Sequence, residues 1–356
     1  MKYFHFIPAA CIFLFCQCGG QDSHFLSDTK YIPVFSEDSC QYIDHGDNLH
    51  FTGAYSDASL FYDNMALICN QSDKKWGYID DSGELQYPAV YTRATIFNEN
   101  RAWVVRPDEA PCAIDTKGRL QLTLTRASKV MIFCEGMAAF AQKEKKGERW
   151  GFIDKSGTPV IKPLYKDVKP LSSGLAAVKN EQNLWGYIDS KGIERIPAQF
   201  SSAESFSKEG HAVVRSAKSG LFQVIDTKGD TLWTIECDAL ISDGNTFRIK
   251  KDKKWGWCDN KGNIFIEPRF EDSESFGNTD LAPVKIRGKW GYINRKGEWK
   301  IKRQFSKAFP FFDGLAVVQT GTVYGLIDPD GHFQINPQYD LSLIHISEPT
   351  RLRCIS

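Results

Sequence analysis

Nine side chains with acceptor oxygens recur along this chain at nearly even spacing: Asp44, Asp80, Asp115, Asp154, Asp189, Asp226, Asp259, Asn294 and Asp328. Paired carboxylates suit general acid–base work or glycoside hydrolysis, but such chemistry needs one unique constellation. A residue that returns in every copy of a pattern points to a repeated structural task. Asp at the start of a turn, accepting backbone N–H groups ahead of it, is such a task. His45, Asp47 and His50, beside Asp44, are the one local cluster of metal-ligand residue types. In the register of the other copies, positions 44 to 47 form a turn, so no metal site is assigned. A Gly-x-Ser-x-Gly elbow, a phosphate loop, a His-Glu-x-x-His pair and a Rossmann fingerprint are all missing from the sequence. No catalytic residue and no cofactor is therefore expected in this stretch.

The acceptor residues close a longer pattern: Trp76-Gly77-Tyr78-Ile79-Asp80, Trp150-Gly151-Phe152-Ile153-Asp154, Trp185-Gly186-Tyr187-Ile188-Asp189, Trp255-Gly256-Trp257-Cys258-Asp259 and Trp290-Gly291-Tyr292-Ile293-Asn294. Weaker copies end at Asp115, Asp226 and Asp328, and a worn one opens the series at Cys40. From Asp44 to Asp328 there are eight intervals, averaging 35.5 residues. A fixed period of this size means units that cannot fold alone and bury a shared core by stacking.

In the best-kept copy, Trp150 to Asp154 alternates as a short strand with apolar residues on both faces. Asp154-Lys155-Ser156-Gly157 reverses the chain, and Val160 to Lys162 forms a second strand stopped by Pro163. The turn residue and a following aromatic stay eleven apart at 80 to 91, 154 to 165, 189 to 200, 259 to 270, 294 to 305 and 328 to 339, as a packed hairpin in fixed register requires. A third strand follows at Gly174-Leu175-Ala176-Ala177-Val178. The expectation is an all-β protein of tandem three-stranded repeats of about 35 residues. An open or superhelical array is favoured, with a β-propeller-like ring as the alternative, because a blade normally has four strands in roughly 40 to 45 residues.

Lys/x-Trp-Gly-Tyr/Phe-Ile-Asp-x-x-Gly, then Pro-x-Tyr/Phe, then Gly-Leu-Ala, resembles the WG-repeat (KWG) family of bacterial proteins from Cys40 to Asp340. The resemblance implies a β-rich repeat region and brings no catalytic residues. The copies at 112 and 222 lack Trp-Gly. The repeat-defining residues Trp76, Gly77, Asp80, Trp150, Gly151, Asp154, Trp185, Gly186, Asp189, Trp255, Gly256, Asp259, Trp290, Gly291 and Asn294 are read as structural. The tryptophans could instead stack sugars or peptides, and Lys74, Lys75, Lys253, Lys254 and Lys289 could form a basic stripe. Core packing and a solvated edge are the preferred readings.

Residues 1–17 read as a secretory signal, with Lys2 ahead of an apolar run too short to span a bilayer. Cys18-Gly19-Gly20 then resembles a bacterial lipobox, which implies a thiol acylated as the new N-terminus. Cys16 is the second candidate, and an ordinary signal the other reading. Residues 18–38 would be a tether and 39–340 nine repeats, the last one truncated. Residues 341–356 break the register and resemble a translated sequencing adapter, so they are read as a non-native tail. The chain has 44 basic and 44 acidic residues, so no excess charge steers it toward nucleic acid. Cys40, Cys69, Cys112, Cys134, Cys237 and Cys258 lack zinc-site spacing; core packing and at least one disulfide remain open. The functional expectation is an exported lipoprotein of the bacterial cell envelope, periplasmic or surface-exposed, membrane-bound through its lipid alone. It would bind or scaffold a protein or glycan. A region of a longer enzyme and a structural spacer are the alternatives.

Overall fold

The computed structural model describes residues 31–36, 39–44, 48–145, 147–277, 279–312, 314–339 and 354–355. Among the described residues the elements are all strands, paired antiparallel in small sheets ordered as the chain runs. The first unit has Ile32–Ser36, Ser39–Ile43 and Leu49–Gly53, and the second has Tyr55–Tyr62, Met65–Asn70, Trp76–Ile79 and Leu85–Tyr91. Seven more units of four strands follow at 93–123, 127–165, 167–200, 202–235, 239–270, 272–305 and 307–339. Units 5 and 6 are joined because one strand, Glu194–Ala203, pairs first with Trp185–Asp189 and then with His211–Ser216.

Two expectations need adjusting. The strand around Leu175 does not pair within the copy that begins at Trp150; Leu175–Lys179 pairs with Trp185–Asp189 of the next copy. Each sheet after the first therefore straddles two sequence copies and contains a fourth strand in the stretch expected as loop. In units 3, 5, 8 and 9 this strand is two residues long: Arg93–Ala94, Asp167–Val168, Asp272–Ser273 and Lys307–Ala308. A single residue separates it from the end of the preceding sheet at Tyr91, Tyr165, Phe270 or Phe305. Of the tether expected over 18–38, Ile32–Ser36 is instead a strand paired with Ser39–Ile43, and residues 18–30 lie outside the described residues. Of the tail expected at 341–356, two residues are described: Cys354–Ile355 pairs with Val130 and Met131 on a sheet edge.

The Trp-Gly dipeptide is explained by register. Trp185 faces Phe200 and Tyr187 faces Ile196, so two steps on one strand meet four on its neighbour. The surplus residues, including Pro197, bulge over Gly186. A Cβ there would lie 2.6 Å from the Ile196 carbonyl oxygen and 2.7 Å from the Ala198 nitrogen. Gly77, Gly151, Gly256 and Gly291 are overhung by backbone in the same way. Pro163, expected to stop its strand, instead lies inside Pro159–Tyr165, on a bulged edge strand where no ladder donor is demanded.

Each sheet packs its face on the next, and the buried clusters show how far this continues. Tyr42 and Cys40 of unit 1 pack with Ala58 and Ile68 of unit 2, and Trp185 and Phe200 of unit 5 with Phe206 and Val214 of unit 6. Trp290 and Phe305 of unit 8 pack with Phe311 and Val318 of unit 9. The remaining neighbours are joined likewise. The last cluster sets Val317, Tyr324, Leu326 and Ile335 of unit 9 against Ile32, Val34 and Ile43 of unit 1. Nine units are thus joined by nine interfaces. Of the two arrangements expected for the all-β repeats, this is the propeller-like ring. An open array would leave the apolar faces of units 1 and 9 in water.

Gly186→Ala should therefore force backbone apart rather than fill a void. The expected loss is about 1 to 3 kcal/mol in urea unfolding; wild-type stability in this variant would show that the bulge does not need glycine.

Candidate functional site

The repeated residues are occupied within the ring. Trp150, Trp185 and Trp290 are each only 7% exposed, too little to offer a face to a sugar. Trp76 and Trp255 are partly buried against their clusters, and Arg248 and Lys250 cover the Trp255 ring at 5.5 and 5.2 Å. Among the lysines weighed as a stripe, Lys74, Lys253 and Lys289 are exposed and Lys75 and Lys254 half-buried.

The turn aspartates all do one thing. Asp154 Oδ1 accepts from the backbone N–H of Ser156 and Thr158 at 2.9 and 3.0 Å, and Asp189 Oδ1 from Lys191 and Ile193 at 2.9 and 3.0 Å. Asp80, Asp259 and Asn294 repeat the pattern. The Ser156 hydroxyl, outweighing partial burial, and these backbone donors hold the Asp154 carboxyl below its usual range. Hydrogen bonds to the charged form produce such a shift.

The third residue of the motif forms the contact between sheets. The hydroxyls of Tyr42, Tyr78, Tyr187 and Tyr292 donate to the carbonyls of Ser59, Thr95, Glu204 and Phe309 at 2.8, 2.8, 2.7 and 2.8 Å, each seventeen residues ahead on the next sheet. The rings meet an aromatic nineteen residues ahead: Tyr78 on Phe97, Tyr187 on Phe206 and Tyr292 on Phe311, all at 4.8 Å between centroids.

The interface of units 7 and 8 departs from this rule, and the sequence reading missed it. Trp257 replaces the tyrosine. Its Nε1 donates to Asp243 Oδ2 at 2.9 Å, while Asp243 also accepts from the Ser275 hydroxyl and, at 3.1 Å, from the Phe276 N–H. Arg248, 3% exposed, donates to the Ser273 carbonyl and reaches Glu274 Oε2 at 3.3 Å. Burial pushes the Glu274 carboxyl up to about 7, against the pull of Arg248. A signal was present: Arg248 stands opposite Trp257, where Ala177 stands opposite Tyr187.

His50, from the cluster weighed as a metal site, stacks on Tyr31 at 3.8 Å and bonds through Nε2 to the Asp81 carbonyl. His45 and Asp47 lie outside the described residues, as do Cys18 and the expected signal. Among the described residues no group of three or more His, Cys, Asp or Glu is placed to hold a metal. Cys40, Cys69, Cys112 and Cys258 are free and buried, and Cys237 is free and half-buried; burial pushes the Cys258 thiol up to about 12. Cys134 is disulfide-bonded.

The family model for WG-containing repeats matches at 76–106, 150–183, 185–217, 255–290 and 290–321. The chain is a WG-repeat protein. The matched segments carry the Trp-Gly strands of units 2, 4, 5, 7 and 8, while units 3 and 6, without that dipeptide, lie largely between them. No match was found among curated proteins. Solved structures similar to this WG-repeat chain include a computationally designed protein, Ika8, at 12% identity and TM-score 0.42, covering 88% of this chain and 96% of that one. BamB from Moraxella catarrhalis is similar at 12% identity and TM-score 0.40, covering 76% and 95%. Dihydro-heme d1 dehydrogenase NirN is similar at 9% identity and TM-score 0.49, covering 88% and 74%.

A carboxyl whose folded pKa lies above its value of 4.5 in the open chain stabilises the fold fully below pH 4.5 and loses that contribution as pH rises through about 7. Glu274→Gln should therefore gain stability relative to wild type between pH 4.5 and 7.5 in urea titrations; a pH-independent difference would contradict the burial argument.

Proposed function

We propose that this WG-repeat ring is an exported, lipid-anchored protein of a bacterial cell envelope that serves as a binding or scaffolding surface for a protein or glycan, without catalysis of its own. The observation that carries the reading is the use made of the repeated residues. Tryptophan, glycine, tyrosine and aspartate of the motif are all spent on holding the ring, so selectivity is left to the outer edges and loops, as in other repeat architectures. A rigid scaffold presenting variable edges is a binding design rather than a reaction centre.

The anchor rests on Lys2, the apolar run from Phe6 to Phe15 and Cys18-Gly19-Gly20. A stable hold by lipid needs more than one acyl chain or a second membrane contact. Metabolic labelling with a clickable fatty acid should mark the protein, and Cys18→Ser should abolish the mark. Labelling that survives this change but is lost in Cys16→Ser moves the anchor to Cys16. An unlabelled wild-type protein removes the anchor.

A further inference from the structure

Five residues after each turn Asp or Asn, one side chain sits at the start of the outer strand, opposite the fourth residue of the motif. In six units it is large, apolar and open to solvent: Leu49, Leu85, Leu120, Ile264, Trp299 and Phe333 face Ile43, Ile79, Ile114, Cys258, Ile293 and Ile327. They are between 37% (Trp299) and 64% (Leu120) exposed. Their shared register places them along one rim. Because unit 9 packs on unit 1, units 7, 8, 9, 1, 2 and 3 are consecutive, and the six side chains form one unbroken arc. The other three units carry Pro159, Glu194 and Thr231 at this position. In a ring of nine, unit 5 with Glu194 lies across from the junction of units 9 and 1, the centre of the arc. Val160, Leu164, Ile193 and Leu232 are exposed in units 4 to 6 as well, but off this register position.

The chain itself supplies the occupant. It enters the ring beside the centre of the arc: Tyr31 stacks on His50, next to Leu49, and Ile32 faces Ile43, which faces Leu49. Cys18 precedes Tyr31 by thirteen residues, a span of at most about 47 Å even fully extended. An acyl group on Cys18 would hold this rim at the bilayer. Scattered apolar surface residues are ordinary, but a continuous arc marks an interaction site. Aromatic and aliphatic side chains at the boundary of headgroups and acyl chains add a second hold where one lipid is marginal.

We propose that the arc from Ile264 through Leu49 to Leu120 is a lipid-contacting edge, by which the ring lies against the membrane that anchors it. The inference rests on the lipid-anchor reading above, and the two can fail separately. The test uses the full chain on vesicles of phosphatidylethanolamine and phosphatidylglycerol. An environment-sensitive dye is placed on Leu85→Cys, Phe333→Cys or, as the control across the ring, Ile193→Cys, with the unsubstituted protein labelled in parallel as background. Expected is a blue shift and loss of quenching by aqueous iodide at positions 85 and 333 and neither effect at 193. Adding Leu49→Glu and Trp299→Glu should abolish the shift while the acylated protein still floats with the vesicles. Equal signals at all three positions, or none on a protein that floats, overturn the lipid edge; a shift that needs high protein concentration but no vesicles assigns the arc to a second copy. If the fatty-acid label is missing, the dyes still decide: a shift on vesicles keeps the lipid edge without the anchor, and no shift removes both.

Discussion

The architecture depends on one side chain, the tyrosine that follows Trp-Gly, reaching out of its own sheet into the next. Tyr42, Tyr78, Tyr187 and Tyr292 are fully buried. A buried hydroxyl without a partner is costly, and an aromatic ring needs a packed face. Both demands are met in the following sheet, by a carbonyl seventeen residues on and, for Tyr78, Tyr187 and Tyr292, a phenylalanine nineteen on. A single sheet that is apolar on both faces needs a neighbour on each side to keep those faces out of water. Here its core is completed by its neighbour, and the seventeen residues from tyrosine to acceptor stay fixed at Tyr42, Tyr78, Tyr187 and Tyr292.

The rest of the motif prepares that reach. Glycine lets the outer strand bulge over it, and the bulge brings Tyr91, Phe200, Phe270 and Phe305 back opposite Trp76, Trp185, Trp255 and Trp290. The chain then needs only one or two residues to cross to the next sheet. Where the tyrosine is replaced the interface is rebuilt. Phe152 keeps its packing without a hydroxyl. Trp257 turns its N–H to Asp243, and the room beside it takes Arg248 and Glu274. In unit 3, Trp103 stacks on Phe133 at 5.5 Å and donates to the Met131 carbonyl. Replacing one buried solution by another preserves the ring here, although Arg248 Nε and Ser273 Oγ stay buried without a hydrogen-bond partner.

How much of this could be read in advance follows from what is local. The period, the β character, the Asp turns and the eleven-residue interval to Phe200 or Phe305 are local, because each is decided within one hairpin. The first strands of units 3, 5, 8 and 9 have no local signature, since two residues such as Asp167–Val168 show no alternation. The sheet frame was cut in the wrong place because Trp-Gly is the strongest signal in a copy but lies on the third strand. Ring closure leaves no local trace at all: it lies in Ile32 and Val34 meeting Leu326 and Ile335, nearly the whole chain apart. The cluster of Asp243, Arg248 and Glu274 was hidden for a similar reason, its members being ordinary charged residues until the fold buries them.

Closure is the claim on which the shared load of the nine interfaces rests, and the junction of units 9 and 1 tests it most directly. Leu326→Ala removes a buried side chain from that junction, at a cost of ~2 to 5 kcal/mol. Native-state hydrogen exchange on this variant should then speed up in Ile32–Ser36 and Ser39–Ile43 as well as in Val323–Ile327, while Trp185–Asp189 across the ring keeps its protection. Unchanged protection in Ile32–Ser36 and Ser39–Ile43, with the loss confined to unit 9 and its neighbour unit 8, would contradict a closed ring.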